Sequence, residues 1–442
     1  MDGKISRCRW VYECDWTEPA QVWKCSKPRS FNSGGGHAAS SRPALYERNR
    51  GRSGTLTATT LTQWILTMDF HSVENAFEQA IAEESFPGAV VLVGKDSDVV
   101  YERAFGYRTL EPDKTVMQPG MVFDLASLTK PMATTVAFML LVKERKLRLD
   151  DLVTRVIPMY GVFGKNLTTF RHLLSHCSGL PPWRAFFEEI IKSEKSGWVN
   201  FLASRAAKNF VYELIHREKP LSTPGSQCLY SDLGFILLGE TVEILTGNSL
   251  DRFCQERIFR PMGLRATGFI DLTQLKSHRL QPVKEMIAPT ENCPWRKKIL
   301  CGEVHDDNAY AMGGVAGHAG LFSSARDIHA FLMRLSQCFH GRDSFLPQSL
   351  VQEFFKRSAS FGNGSFALGW DTPTPEGSAS GRLFSHHSVG HLGFTGCSIW
   401  WDLEKNCHII LLTNRVHPSR KNEKIKEFRP AIHDEIMKVI FP

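Results

Sequence analysis

The apolar and polar positions divide the chain into a strand-rich beginning, a helix-rich middle and a strand-rich end. From Met68, the residues Phe70, Val73, Phe77, Ala80 and Ile81 recur at helical spacing, which predicts an amphipathic helix. At Gly88 the period changes. Ala89-Val90-Val91-Leu92-Val93-Gly94 and Val99-Val100-Tyr101-Glu102-Arg103-Ala104 flank Lys95-Asp96-Ser97-Asp98, a pattern that predicts a hairpin. A long helix is predicted from about Ser127 to Glu144, its apolar face made by Met132, Val136, Met139 and Leu140. Helical patterns continue at Thr168–His176, Phe186–Phe201, Leu233–Leu245, Leu250–Ile258 and Ala325–Leu335. Strands return at His391–Trp401 and Cys407–Asn414, with Glu404-Lys405-Asn406 as the turn, and a last helix runs from about Lys421 to Ile440.

Strands at both ends with helices between them predict an α/β (α+β) fold. One antiparallel sheet is built from both termini (about 68–125 and 360–442) and flanked by helices, and an all-helical lobe (about 126–359) packs against it. The crevice between lobe and sheet is where a pocket is expected. Residues 1–67 stand apart, with scattered Trp10, Trp16, Trp23 and Trp64, the run Gly34-Gly35-Gly36 and no sustained period. They are expected to be a disordered or non-native extension, with Met68 opening the catalytic domain, 68–442.

Composition narrows the class. The chain has 442 residues, 42% hydrophobic and 22% charged, enough for a large core. No apolar run approaches the roughly 18 residues of a membrane span. The formal net charge is +7, but residues 1–67 hold ten basic and five acidic residues, so the body is close to neutral and carries no nucleic-acid footprint. The eleven cysteines are odd in number and form no C-x-x-C pair, which fits neither a disulfide framework nor a zinc ribbon and points to a reducing compartment. With no secretory leader pattern at the start, cytoplasmic location is expected, with periplasm or secretion as the alternative.

Three constellations carry chemistry. In Ser127-Leu128-Thr129-Lys130, a serine and a lysine three apart share one helix face. A serine hydroxyl needs a base to act as a nucleophile, and a lysine whose pKa is lowered can be that base. In Tyr230-Ser231-Asp232, at the start of an apolar helical run, a phenol beside an ammonium is a candidate proton shuttle, while Asp232 is either a partner or a helix cap. Gly390-His391-Leu392-Gly393-Phe394-Thr395-Gly396 places one histidine among glycines on a strand, where a ligand or another backbone approaches closely. No G-x-S-x-G elbow occurs, which excludes the α/β-hydrolase reading.

These motifs, in this order, resemble the three signatures of the penicillin-recognising serine hydrolases, in particular the branch of class C β-lactamases, D-alanyl peptidases and family VIII carboxylesterases. The likeness covers about residues 70–440. It implies that Ser127 is acylated, that Lys130 takes or relays its proton, and that Tyr230 partners Lys130 and protonates the leaving group. It further implies an oxyanion hole from the N–H groups of Ser127 and Phe394, with His391 in the place of the third-motif lysine followed by Leu392 and Gly393. Asp232 stands where asparagine is usual, and it repels an anion. His391 and Leu392 replace the lysine and threonine that receive a substrate carboxylate, and Arg415 could partly restore such a site. The resemblance thus implies hydrolysis of a small carboxylic ester, with β-lactam or D-alanyl peptide hydrolysis as the alternative and a silent binding protein as the reading from another class.

No cofactor, nucleic-acid partner or metal is called for. His172 and His176 have a zinc-binding spacing but no accompanying glutamate, and His386, His387 and His391 have no carboxylate or cysteine pattern beside them. His305 and Asp306 either line the cleft or form a structural pair. The Gly-rich run Met312–Gly320 lacks the Lys-Ser/Thr of a phosphate loop and predicts a close-packed turn before a helix opened by Ser323 or Ser324. A chain beginning at Met68 is expected to be soluble and active; insolubility or inactivity of that truncation in a purification and turnover assay would refute the reading of the head.

Overall fold

The computed structural model describes residues 68–197, 200–357 and 364–442; the head, with the expectations placed on it, lies outside these residues. Helix α1 (His71–Ala82) and the hairpin β1 (Gly88–Lys95) and β2 (Asp98–Thr109) form where the apolar period predicts them. Short strands β3 (Thr115–Val116) and β4 (Val122–Asp124) follow. The predicted long helix begins with a single tight turn at Ala126–Leu128, widens over Lys130–Thr135 and becomes α2 (Val136–Lys143). The widening has a local cause: Pro131 has no N–H to return to a carbonyl one turn back. Helix α3 (Asp232–Thr246), strands β5 (Gly268–Phe269) and β6 (Leu321–Ser324), and helix α4 (Ala325–Phe339) lead to β7 (Ser388–Leu392), β8 (Ser398–Asp402), β9 (Cys407–Thr413) and α5 (Ile425–Ile440).

The six-stranded main sheet has the order β3-β2-β1-β9-β8-β7, and every pairing in it is antiparallel. The two ends of the sequence meet at β1 and β9, in register from Ala89 opposite Thr413 to Lys95 opposite Cys407. Strand alternation then sorts these residues into two cores. Val90, Leu92, Ile410 and Leu412 face the larger core, shared with the helical lobe, while Ala89, Val91, Val93, Ile409 and Leu411 face a second core under α1 and α5. Covering both faces is why β1 and β9 read as continuous apolar runs.

Three differences from the sequence expectations have physical reasons. His391–Trp401 is two strands, because Gly396, at φ +109°, turns the chain between β7 and β8. The helix Arg205–His216 was not predicted, although Ser204 caps it and Ala207, Val211, Tyr212 and Ile215 form its buried stripe; the flanking charged residues mask the period. The lobe segment is not all-helical: its strands β5 and β6 join β4 in a small sheet whose strands of two to four residues are too short to show alternation. The Gly-rich run is close-packed as predicted: a Cβ on Gly317 would stand 2.0 Å from the Phe235 carbonyl oxygen, and Ser324 caps α4.

Phe77 is the anchor of the second core, fully buried and stacked on Phe105 at 4.4 Å, with the edge of Phe428 at 5.2 Å. Phe77→Ala is expected to lower unfolding stability by about 3–5 kcal/mol in a denaturant titration; a loss near zero would mean α1 does not hold the sheet.

Candidate active site

The site is assembled around the turn that follows β4. Asp124 is buried, and its two carboxylate oxygens accept from the backbone N–H of Ala126 (2.8 Å) and of His305 (2.6 Å). Burial pushes its pKa up, against the pull of these two bonds. The first bond holds Ala126 at φ +46°, a left-handed conformation that costs a non-glycine residue about 1–2 kcal/mol. Strain of this kind persists where surrounding contacts over-determine it. Ser127 follows directly.

Lys130 is completely buried beneath Ser127. Its Nζ donates to Ser127 Oγ at 2.8 Å and to the His318 carbonyl at 3.2 Å, and it is ion-paired with Asp232 Oδ1 at 2.8 Å. Two of the three ammonium N–H donors thus have acceptors, and the Asp232 carboxylate supplies the opposite charge. Burial opposes the charge, but Asp232 and then Tyr230 outweigh it and hold the pKa above the ordinary lysine value. The expectation of a lysine made basic by a lowered pKa is corrected: the resting side chain is a cation, because a carboxylate stands where an amide was usual.

Tyr230 packs its ring 4.8 Å from Lys130 Nζ, with its phenol near enough to Lys130 and Ser127 for both to pull its pKa down. Desolvation raises its pKa despite the opposing pull of Lys130. Behind it lies His176, ring to ring at 4.5 Å, its Nδ1 accepting from Ser231 N at 3.0 Å. Desolvation holds His176 well below the ordinary histidine value, so it is a neutral support for the tyrosine. Among the described residues no group of three His, Cys, Asp or Glu side chains is placed to hold a metal. Ser231 Oγ accepts from Gly234 N and caps α3, which leaves Asp232 free to turn toward Lys130.

The edge strand β7 closes the site from the other side. A Cβ on Gly393 would stand 2.5 Å from the Leu125 carbonyl oxygen, so only glycine lets this strand end reach the Ser127 turn. Thr395 Oγ1 donates to the Asp124 carbonyl at 2.7 Å and fixes the approach. His391 Nδ1 lies 2.9 Å from the Leu392 carbonyl and donates to it, leaving Nε2 as an acceptor. Burial, then the nearby Lys130 charge, lower its pKa to about 3, so it is uncharged at neutral pH. Phe394 is 51% exposed, stacked on His305, with the Arg415 guanidinium 4.5 Å from its ring centre. Arg415 Nε donates to the Phe394 carbonyl at 2.8 Å, and Nη1 donates to the carbonyls of Arg420 and Asn422.

These groups surround a cavity of about 750 Å³ that Ser127, Tyr230, Asp232, His391, Gly393, Phe394 and Arg415 all reach. Every site residue singled out in the sequence is therefore at this one place, with Lys130 just under its floor. His305 and Asp306 line it too, Asp306 held by His318 at 3.0 Å. Trp183, Phe366 and Arg429 are among the wall residues that were missed, since none belongs to a motif and each is brought in by a different element. The cysteine reading is corrected: Cys177 and Cys228, 51 residues apart, form a disulfide between the residue after His176 and the loop that delivers Tyr230. The odd cysteine count thus loses its weight as a sign of a reducing compartment. Among the described residues no helix is long and apolar enough to cross a membrane.

The family model described as Beta-lactamase matches residues 73–431. A protein of Escherichia coli O157:H7 described as "Putative D-alanyl-D-alanine carboxypeptidase" is 34% identical over 369 residues, covering 76% of this chain and 80% of its own. One of Salmonella typhimurium with the same description is 31% identical over 370 residues, covering 78% and 82%. The octameric penicillin-binding protein homologue of Pyrococcus abyssi superposes with a TM-score of 0.60 at 22% identity, over 78% of this chain and 74% of that one. EstCE1, a hydrolase with promiscuous acyltransferase activity, gives 0.60 at 22% identity, over 84% and 99%. These two show the fold.

His391, His408 and His433 are each held neutral by burial, with pKa values of about 3, against about 6.5 unfolded. The folded chain binds fewer protons than the unfolded one, so this stability is present above pH 6.5 and is lost as pH falls toward 3. His391→Gln is expected to flatten the fall in unfolding free energy between pH 7 and pH 4; slopes that coincide for wild type and variant would show His391 is not held neutral.

Proposed function

Since the chain belongs to the β-lactamase family, a family of serine hydrolases, we propose that it hydrolyses small carboxylic esters through an acyl-enzyme on Ser127. The observation that carries this reading is the contact of Lys130 Nζ with both Ser127 Oγ and Asp232, each at 2.8 Å, at the floor of a cavity large enough for a small molecule.

In the resting site Lys130 is a cation and Tyr230 a neutral phenol, so the pair gives up one proton before attack. The phenolate that remains is steadied by the ammonium beside it. As Ser127 Oγ bonds to the substrate carbonyl carbon, its proton passes to Tyr230. The carbonyl oxygen becomes an oxyanion facing the N–H groups of Ser127 and Phe394. Collapse breaks the ester C–O bond, and Tyr230 gives the proton to the departing alkoxide. Water then repeats the sequence on the acyl-enzyme: Tyr230 takes its proton, the C–Oγ bond breaks, and Ser127 recovers its proton.

Ester is preferred to lactam because the third motif carries no fixed charge. His391 is neutral and Leu392 has no hydroxyl, so neither receives a carboxylate beside the scissile bond, and the charge of Lys130 is already answered by Asp232. The second reading, cleavage of a D-alanyl peptide or a β-lactam, is favoured by the description of the relatives at 31–34% identity. A 4-nitrophenyl short-chain ester and a chromogenic cephalosporin, each with wild type and Ser127→Ala, separate the two. Ester turnover is expected to exceed cephalosporin turnover and to fall by about 10³-fold or more in Ser127→Ala. Turnover that survives the substitution would sink the mechanism, and faster cephalosporin turnover would replace the preferred substrate.

A further inference from the structure

Four of the residues that line the cavity are cations: Arg415, Arg420, Lys426 and Arg429. Two of them are neutralised. Arg420 reaches Glu291 at 2.7 Å and Asp307 at 2.9 Å, and Lys426 reaches Glu423 at 2.7 Å. Three acidic residues of the wall are spent in the same way, Asp306 on His318, Asp307 on Arg296 and Arg420, Asp232 on Lys130, while Asp371 is held by Ser365 Oγ and the Thr372 N–H.

Arg415 and Arg429 are left over. Each is only 5% exposed. Among the described residues no carboxylate forms an ion pair with either guanidinium; their recorded bonds all go to backbone carbonyls, those of Arg415 to residues 394, 420 and 422 and that of Arg429 to Cys397 at 3.3 Å. Arg429 Nε is buried with no hydrogen-bond partner. Each guanidinium has N–H groups beyond those engaged, since each carries five. Glu423 is the nearest acid to act on Arg415, but it is bound to Lys426 at the surface. Burial and the charge of Arg415 bring the Arg429 pKa down to about 10, which still leaves it charged at neutral pH.

Burying two like charges in one cavity wall without a counter-charge is costly unless something supplies one. Both residues line the cavity, and the planar fork of a guanidinium matches the geometry of a carboxylate. We propose that Arg415 and Arg429 form a subsite for a carboxylate carried by the substrate away from its scissile bond. The inference rests on the acyl-enzyme reading above and names its substrate class: a half-ester of a dicarboxylic acid, or an ester of similar shape. Arg415 donates to the carbonyl of Phe394, the residue whose N–H is assigned to the oxyanion in the mechanism above, so the subsite adjoins that end of the cavity. Arg429 is therefore a specificity residue, and Arg415 both a specificity and a positioning residue.

The test compares mono(4-nitrophenyl) succinate with 4-nitrophenyl butyrate, which have similar length and differ in the terminal carboxylate. Wild type is expected to favour the acidic ester in kcat/KM by about tenfold or more, as charge-assisted hydrogen bonds allow. Arg429→Met is expected to collapse that ratio toward one, mainly through KM of the acidic ester, and Arg429→Lys to restore part of it. Succinate is expected to inhibit butyrate-ester turnover competitively and to raise the melting temperature of the Ser127→Ala protein, well above the effect of sulfate at equal ionic strength. Ester turnover that depends on Ser127 but shows no acidic preference would overturn the subsite and leave the acyl-enzyme reading standing. No turnover of either ester, with succinate still stabilising the protein, would overturn the ester reading and support the subsite. Equal effects of succinate and sulfate would overturn it.

Discussion

A fully buried ammonium sits under the reactive serine, and most of the site follows from satisfying it. Taking a lysine charge out of water is tolerable only if its three donors find acceptors and its charge finds a partner. Lys130 donates to Ser127 and the His318 carbonyl, and its charge is answered by Asp232. Each partner comes from a different part of the chain, so the lysine ties together the turn after β4, the close-packed run before β6 and the start of α3. The same demand explains why Ser231 takes the helix cap: Asp232 could not both cap α3 and answer the lysine.

The reacting groups are held by backbone packing as much as by side chains. Asp124 pins Ala126 in its left-handed conformation and ties the turn to His305, while Thr395 and the missing side chain of Gly393 bring β7 against Leu125. Serine, tyrosine and edge strand therefore face one another across a gap whose width is set by main-chain contacts. A cluster of this kind is rigid where chemistry happens and leaves variation to the outer wall, where Trp183, Phe366 and the arginines stand.

The elements legible in the sequence were those with a long, unbroken period: α1, the first hairpin, α3 and β9. Ser127, Lys130, Tyr230 and His391 could be found because motif order, unlike tertiary contact, is written along one dimension. The protonation state of those same residues was not legible. It depends on Asp232 turning inward and on how completely Lys130 and His391 are buried, and neither is a property of neighbours in sequence. Arg429 was invisible for a related reason. On the helix pattern of α5 it reads as one more charged position, and only the packed structure shows that it is buried without a carboxylate.

The meeting of β1 with β9 has a consequence for how the molecule comes into being. The two strands are separated by more than 300 residues, and until β9 arrives the apolar β1 has one open edge. Ribosomal synthesis delivers the first hairpin, then the whole helical segment, and only then the strands that cover that edge and the helix that carries Arg429. Non-local pairing of this kind is slow, and a waiting edge invites association with other chains. The nascent protein therefore passes through a stage in which its nucleophile and lysine already exist while the wall that gives them a substrate has yet to be made.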